Sequence, residues 1–285
     1  MAKDFMIVLS HFQARRLLDA RANGHAAVKV SIDLNLTESE VQLQPEMVLF
    51  PAGERLDWKS LEEISGNEVA CYVVVENTAR VIKGFSEFSG KVYGLMPTDF
   101  APTMLISGIP MHRIKDTNPH QDTLQKIKAA APLKGNVLDT TTGLGYTAIE
   151  AAKTARHVVT IEIDPVAQEI ARQNPWSQDL FGNPKITQLI GDAFDEIEKF
   201  EAESFSTIIH DPPMFSLAGD LYSLAFYQQA FRVLRHNGKM FHYIGDPESK
   251  SGARVTAGVT RRLQEAGFKR VTHAPRAFGV VAHKE

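Results

Sequence analysis

The second half of the chain predicts an α/β domain with a mostly parallel seven-stranded sheet, preceded by a smaller α+β domain. Two observations carry this prediction. From about residue 120 onward, apolar runs of strand length alternate with amphipathic stretches of helical length. The last two strand-like runs, FKRVTHAP and AFGVVAHK, are separated only by a short turn. The last strand should therefore run antiparallel to the rest of the sheet.

The N-terminal part of the chain has a different pattern. Apolar and polar residues alternate strictly over 28–36, which predicts a half-buried strand, and the following VQLQPEMVLF predicts its partner. Short helices are predicted over 11–22 and 58–64. We therefore predict an α+β domain over residues 1–107, with a role in substrate recognition, and a second domain over residues 108–285.

Composition excludes several classes of protein. The formal net charge is only -3, so a nucleic acid would have to be contacted through a local basic patch. The single cysteine, Cys71, excludes an intramolecular disulfide and a cysteine-based metal cluster. No His/Cys/Asp spacing suggests a metal site, and no apolar run is long enough for a membrane span. We expect a cytoplasmic protein that binds no metal and no membrane. The sequence is compatible with a homo-oligomer.

The elements of the second domain follow in order. After the turn at Asn118-Pro119, a helix is predicted over 121–130. The predicted strands are GNVLDT, HVVTIEI, KITQLIGD, FSTIIHD, GKMFHYIG, FKRVTHAP and AFGVVAHK, and the predicted helices span 145–154, 165–173, 222–234 and 255–266. This alternation predicts helices on both faces of the sheet.

A glycine-rich turn follows the first of these strands, in VLDTTTGLGYTAIEAA. Asp139 stands at the carboxyl end of the strand, where open α/β sheets bind ligands. Gly143 and Gly145 allow a sharp turn, and the helix that begins near Tyr146 presents free N–H groups. Taken alone, Gly143 to Ala148 also fits the dinucleotide pattern G-x-G-x-x-G/A.

Three acidic residues at successive strand ends favour S-adenosylmethionine as the ligand. Asp139 precedes the glycines, where its carboxylate would attract a cation and repel a pyrophosphate. Glu162 can accept both ribose hydroxyls, a feature shared with NAD sites, and Asp192 would lie beside the adenine. Each acid alone is also typical of a strand end or a helix cap. The predicted cofactor-binding residues are Asp139, Thr141, Gly143, Gly145, Tyr146, Glu162, Ile163, Gly191, Asp192, Ala193 and Asp211.

These segments carry a resemblance to a known family. VLDTTTGLGYTAI, VVTIEID, IGDAF and IIHDPPMF resemble the successive motifs of class I S-adenosylmethionine-dependent methyltransferases, over about 160 residues. A longer segment is similar to an uncharacterised group of predicted archaeal-type methyltransferases. It runs from SGIPMHRIKDTNPHQDTLQKIKAA through DTTTGLGYTAIEAA, and HDPPMFSLAGDLYS and HYIGDP share the similarity. The resemblance implies a Rossmann-like fold and S-adenosylmethionine as cofactor, but no substrate.

The candidate catalytic loop is His210-Asp211-Pro212-Pro213, at the end of the fourth strand. The two prolines remove two N–H donors, so the loop offers carbonyl oxygens and the Asp211 carboxylate to a nitrogen that bears hydrogens. Phe215 is predicted to stack on a planar ring. His210 is a candidate for acid–base chemistry, although a histidine at a strand end is more often structural.

The loop is similar to the (Asp/Asn)-Pro-Pro-(Tyr/Phe) motif of amino-methyltransferases that act on nucleobases and protein amides. It departs from that motif because Met214 holds the fourth position and the aromatic residue comes one later. This variant is closer to one seen in ribosomal RNA methyltransferases. Methylation of a pyrimidine carbon usually needs a cysteine nucleophile near this loop. It is disfavoured here because the only cysteine lies in the N-terminal part.

We therefore expect methyl transfer to a nitrogen, with RNA as one candidate acceptor. One alternative is an aminopropyltransferase related to spermidine synthase, although the Gly-Gly-Gly-Asp-Gly loop of such enzymes is absent. Another is a non-catalytic module that binds S-adenosylmethionine. A nicotinamide-dependent oxidoreductase is disfavoured by Asp139 and Asp192. The basic residues His112, Arg113, Lys115 and Lys126 could contact phosphate or substrate, but they are interpreted as a solvated helix and loop.

Overall fold

The computed structural model describes residues 6–213, 218–246 and 250–285. The chain divides into two compact units. Unit 1 contains Met1–His120 and Val166–Gln178, and unit 2 contains Gln121–Pro165 and Asp179–Glu285. The domain boundary expected between residues 107 and 108 stays a prediction.

In the described residues, unit 1 contains short antiparallel strands, two complete α-helices and the segment 166–178. Its elements are β1 (Ile7–Leu9), α1 (His11–Ala22), β2 (Ala27–Val30), β3 (Ser39–Leu43), β4 (Met47–Leu49), β5 (Arg55–Asp57), α2 (Trp58–Ser65), β6 (Tyr72–Val75), β7 (Thr78–Val81), β8 (Lys83–Ser86), β9 (Lys91–Met96), β10 (Thr103–Ile106) and β11 (Ile109–Pro110). They form three sheets, with strand orders β1-β6-β7, β2-β3-β4-β5 and β11-β10-β9-β8. Leu17 of α1 and Leu61 of α2 lie in one apolar core with Val30 and Val41.

The strand predicted over 28–36 is wrong in its second half. β2 ends at Val30, because Leu34 and Asn35 adopt left-handed backbone angles, with φ of 54° and 70°. The Asp33 carboxylate accepts hydrogen bonds from the backbone N–H and the hydroxyl of Thr37, which closes a turn where the alternation suggested a strand. Likewise, VQLQPEMVLF forms a hairpin of β3 and β4 rather than one strand.

Unit 2 carries the large sheet. Its elements are α3 (Pro119–Ala130), β12 (Asn136–Asp139), α4 (Tyr146–Ala152), β13 (His157–Glu162), α5 (Pro165–Arg172, of which residues 166–172 fall in unit 1), β14 (Ile186–Ile190), α6 (Ala193–Glu196), β15 (Phe205–His210), α7 (Leu224–Val233), β16 (Leu234–Tyr243), α8 (Lys250–Glu265), β17 (Arg270–Ala274) and β18 (Gly279–His283).

The sheet has the strand order β14-β13-β12-β15-β16-β18-β17. Strands β12 to β16 pair in parallel, and β18 pairs antiparallel with both β16 and β17, which confirms the predicted antiparallel last strand. The chain order reverses between β12 and β15, and such a switch point opens a crevice at the carboxyl ends of the strands.

Two apolar clusters cover the two faces of this sheet. Leu138 lies in one cluster with Phe226 of α7 and Val259 of α8. Its neighbour Val137 points to the opposite face and lies in the other cluster, with Ala148 of α4. The core therefore sits in two layers and holds the strand ends in fixed register. Within the described residues, no helix combines the length and apolar character needed to cross a membrane.

Candidate active site

The turn between β12 and α4 is shaped by two glycines. Gly143 and Gly145 have φ of +52° and +76°, in the region that other residues adopt with strain. Gly145 is also the N-cap of α4, and a Cβ added there would lie 2.6 Å from Leu180 Cδ2. The turn therefore lies close against the core, and Tyr146, only 6% exposed, is the first residue of the helix.

Asp139 is fully buried at the end of β12. Its Oδ2 accepts hydrogen bonds from the hydroxyls of Thr160, at 2.8 Å, and Thr147, at 3.1 Å. Its Oδ1 has no hydrogen-bond donor among the described residues. Burial, with a smaller contribution from the nearby Asp211 carboxylate, raises the pKa of Asp139 to about 8. The carboxyl is thus a polar group that lacks a partner of opposite charge in direct contact.

A dependence of stability on pH follows from Asp139. Its pKa in the folded chain, about 8, lies above its ordinary value of 3.8, so unfolding at neutral pH releases a proton. Raising the pH from 4 toward 8 should therefore lower the free energy of unfolding, by up to about 1.4 kcal/mol per pH unit from this group. Asp139→Asn cannot ionise and should flatten that slope. Urea unfolding of both proteins at several pH values, without cofactor, measures it, and equal slopes would contradict the assignment.

Glu162, half-buried at the end of β13, fixes the glycine turn. Its Oε2 accepts the backbone N–H of Gly143 at 2.8 Å, and its Oε1 accepts that of Asp164 at 3.1 Å. Burial raises the pKa of Glu162, against the lowering effect of these hydrogen bonds. The next residue, Ile163, is 45% exposed. The carboxylate is held in one orientation, and its remaining lone pairs are the ones a ligand can use.

Asp192 caps the short helix α6, since its carboxylate accepts the backbone N–H of Phe194 at 2.8 Å. The preceding Gly191 donates its backbone N–H to the Glu162 carbonyl, and the following Ala193 is buried. The capping role that the sequence left open is therefore present. A role of Asp192 beside an adenine stays a prediction.

Two threonines of the glycine turn connect β12 with the end of β15. The Thr141 hydroxyl donates to the Asp211 carbonyl at 2.8 Å, and the Thr140 hydroxyl lies 2.7 Å from His210 Nδ1. The two strands pair in parallel, so Asp139 and Asp211 end at the same edge of the sheet. The structure thus brings the predicted cofactor turn and the predicted catalytic loop together.

His210 is fully buried, and both of its ring nitrogens have protein partners. Nε2 lies 2.9 Å from the Leu221 carbonyl, which can only accept, so Nε2 carries the hydrogen and Nδ1 accepts from Thr140. Burial lowers the pKa of His210 to about 3, which keeps the ring neutral. This arrangement favours a structural role, and the predicted acid–base role stays untested.

Asp211 forms an ion pair that the sequence analysis missed. Lys126 Nζ lies 2.6 Å from Asp211 Oδ2 and 2.9 Å from Asp122 Oδ2. The Lys126 side chain is only 2% exposed, so its interpretation as part of a solvated surface is wrong. Asp122 and Lys126 are four residues apart on α3, a spacing that places both on one helix face. That spacing was the available signal.

The rest of the loop is fixed by Tyr222, whose hydroxyl donates to the Pro213 carbonyl at 3.1 Å. Among the described residues, no donor is found on the Pro212 carbonyl or on Asp211 Oδ1. The predicted stacking residue, Phe215, and its neighbour Met214 lie outside the described residues. No group of His, Cys, Asp and Glu able to hold a metal ion was found in the described part of the chain.

Comparison with known proteins identifies the family. The profile of the Methyltransferase small domain family matches residues 122–248. Over its whole length the chain is 40% identical to the uncharacterised protein MJ1233 of Methanocaldococcus jannaschii, of which it covers 99%. The chain belongs to the class I S-adenosylmethionine-dependent methyltransferases. The cofactor of this methyltransferase family is S-adenosylmethionine, and the strand order and the antiparallel last strand agree with its Rossmann-like fold.

Two further similar proteins are a polyamine aminopropyltransferase and a spermidine synthase. Polyamine aminopropyltransferase 2 of Streptomyces coelicolor is 28% identical to this methyltransferase-family chain over 124 residues, which are 41% of this chain and 22% of that protein. The solved spermidine synthase of Thermotoga maritima matches with a TM-score of 0.58 at 18% identity, covering 73% of this chain and 76% of that one. At that identity the likeness shows a shared fold only.

Proposed function

We propose that the protein transfers the methyl group of S-adenosylmethionine to a nitrogen atom, with RNA as the leading candidate for the acceptor. The observation that carries this proposal is the position of Asp211. It follows β15 directly beside the glycine turn of β12, precedes two prolines, and keeps Oδ1 without a donor among the described residues.

The residues at the strand ends fit the cofactor. Oδ1 of Asp139 is buried without a donor, and an ammonium or sulfonium nearby would compensate its charge. Glu162 would accept the ribose hydroxyls, and Gly143, where no atom lies within 4 Å of an added Cβ, would allow close approach of a ligand. Asp139, Glu162, Asp192 and the turn from Gly143 to Gly145 would hold the cofactor. When bound, it supplies an electrophilic methyl group.

The acceptor side is supplied by the loop after β15. Asp211 Oδ1 and the Pro212 carbonyl are two acceptors that can bind the hydrogens of an amino nitrogen and aim its lone pair. As the new N–C bond forms, the bond from the methyl carbon to the sulfonium sulfur would break and leave a neutral thioether. Positive charge then grows on the nitrogen, and these oxygens stabilise it. The proton that the nitrogen then loses can pass to Asp211 and on to water. Catalysis would come chiefly from positioning and electrostatics.

RNA is favoured as acceptor by the order of residues in the loop. The sequence Asp-Pro-Pro-Met-Phe, with the aromatic residue one place late, is closer to the ribosomal RNA methyltransferase variant than to the protein-amide one. The tripeptide alone is also compatible with a rigid turn.

A transfer assay tests this function. The purified protein is incubated with S-adenosylmethionine that is tritiated on the methyl group, together with total RNA, protein or small amines in separate reactions. We expect label in RNA, on a base nitrogen after digestion and chromatography. Label in the protein or amine fraction alone would contradict the RNA assignment. Cofactor binding without transfer to any fraction would support a non-catalytic module instead.

A second candidate is aminopropyl transfer from decarboxylated S-adenosylmethionine, favoured by the sequence similarity to the Streptomyces aminopropyltransferase. The carboxylates of Asp122, Asp139 and Asp211 in one region would suit a polyamine. Against it stands the loop Thr-Thr-Thr-Gly-Leu-Gly, which lacks the acid within the glycines of those enzymes. Calorimetry with the two cofactors separates the candidates, since an aminopropyltransferase would bind the decarboxylated form more tightly.

A further inference from the structure

The buried ammonium of Lys126 is the cation in direct contact with Asp211. Its Nζ lies 2.6 Å from Asp211 Oδ2, 2.9 Å from Asp122 Oδ2 and 4.6 Å from the centre of the Tyr243 ring. The side chains of Lys126 and Asp122 are 2% and 0% exposed. A lysine is rarely buried to this extent unless it is paired, so three charged groups are held in one fixed arrangement.

The two carboxylates keep this lysine charged. Burial by itself lowers the pKa of Lys126, but the Coulomb attraction and hydrogen bonds of Asp211 and Asp122 outweigh it and raise the pKa above its ordinary value. The ammonium is also placed over the ring face of Tyr243, where an aromatic quadrupole favours a cation. Lys126 is therefore a permanent positive charge at this site.

Lys126 and Asp122 act on Asp211 in opposite directions. Burial raises the pKa of Asp211, the Lys126 ammonium lowers it, and the Asp122 carboxylate raises it. Among the residues that the structure describes, the other titratable groups with an electrostatic effect on Asp211 are Asp139 from β12 and Tyr222 from the turn before α7. Since Asp139 and Tyr222 bring no positive charge, Lys126 is the group that opposes protonation of Asp211.

We propose that Lys126 is a positioning residue of the transfer site, which fixes the Asp211 carboxylate through Oδ2 and leaves Oδ1 for the acceptor nitrogen. Asp122 anchors the lysine from the preceding turn of α3. We call the arrangement of Asp122, Lys126 and Asp211 the clamp. The acceptor nitrogen rests on the proposed function, whereas the clamp is a property of these three side chains alone. The clamp explains why a lysine is buried on a helix whose other lysine, Lys128, is exposed.

Titration of the Asp211 carboxyl by carbon-13 NMR tests the clamp without cofactor or acceptor. The signal is assigned by its loss in Asp211→Asn and is followed in the wild type, Lys126→Met and Asp122→Asn. We expect Lys126→Met to raise the midpoint by about one pH unit or more, since an adjacent opposite charge shifts a carboxyl by this amount. Asp122→Asn should shift it downward. Lys128→Met, on the exposed face of the same helix, is the matched control and should shift nothing.

Opposite shifts in the two variants cannot come from general loosening of the fold, which would move the midpoint toward its ordinary value in both. Shifts of the same sign, or no shift in either, would overturn the proposal. If Lys126→Met does not fold, Lys126→Gln takes its place, because it removes the charge but keeps a hydrogen-bond donor for the carboxylates. The upward shift, which loosening cannot produce, is then required of Lys126→Gln. This result is independent of the transfer assay, so loss of the proposed function and loss of the clamp are told apart.

Discussion

Replacing Asp211 with alanine is expected to reduce the rate of methyl transfer by about 10²- to 10³-fold, the effect of removing one positioned electrostatic group from an active site. The carboxylate supplies the oxygen that would bind the acceptor nitrogen, and the neighbouring carboxyls of Asp122 and Asp139 are fully buried. Affinity for S-adenosylmethionine should stay nearly unchanged, because Glu162 and the glycine turn are intact. Transfer rates and calorimetry on the same preparation measure both quantities.

Two further variants make this test specific. Asp211→Asn keeps an oxygen acceptor and the shape of the side chain, so it should retain more activity than the alanine variant. Asp220→Ala removes an exposed carboxylate in the turn before α7 and should behave as the wild type. Full activity of Asp211→Ala would show that Asp211 has no catalytic role.

Gly145→Ala is expected to destabilise unit 2 by about 2–5 kcal/mol and to abolish cofactor binding. The new methyl group would meet Leu180 Cδ2 at 2.6 Å and Cδ1 at 2.9 Å, and the residue would also be strained at a φ of +76°. Leu180 is fully buried in the core cluster beside α4, so it has little room to move. Thermal or urea unfolding and calorimetry with S-adenosylmethionine provide the measurement.

Gly143→Ala is the natural comparison, because φ there is +52° but no atom lies within 4 Å of an added Cβ. It should cost only the backbone strain, about 1–2 kcal/mol. The double variant Gly145→Ala with Leu180→Ala should recover part of the loss, since the collision is then removed. If Gly143→Ala and Gly145→Ala are equally destabilising, contact with Leu180 is not the cause.

The parts of the fold that the sequence predicts well are those with local causes. Helix α1 begins after Ser10, whose hydroxyl and backbone N–H form a capping box with Gln13. Hydrophobic runs of strand length predict the strands that end at Asp139 and Glu162. The glycines that follow the first of these runs predict the turn. The strand over 28–36 failed because a turn stabilised by Asp33 can coexist with a perfect alternation of apolar and polar residues.

The candidate site was predicted less completely for a physical reason. Lys126 and Asp211 are 85 residues apart, and their pairing depends on how α3 packs against the sheet. No local pattern encodes that contact. For His210 the sequence leaves an acid–base and a structural role open, because its hydrogen-bond partners Thr140 and Leu221 are 70 and 11 residues away.

The hydroxyls of Thr140 and Thr141 join the glycine turn after β12 to His210 and Asp211 at the end of β15. Both hydrogen bonds would have to break for the ends of β12 and β15 to separate, so this contact resists opening and is not a hinge. Admitting a bulkier substrate by separating these strand ends would cost both hydrogen bonds, about 1 kcal/mol each. We therefore expect the range of accepted substrates to be set by residues other than those at the ends of β12 and β15.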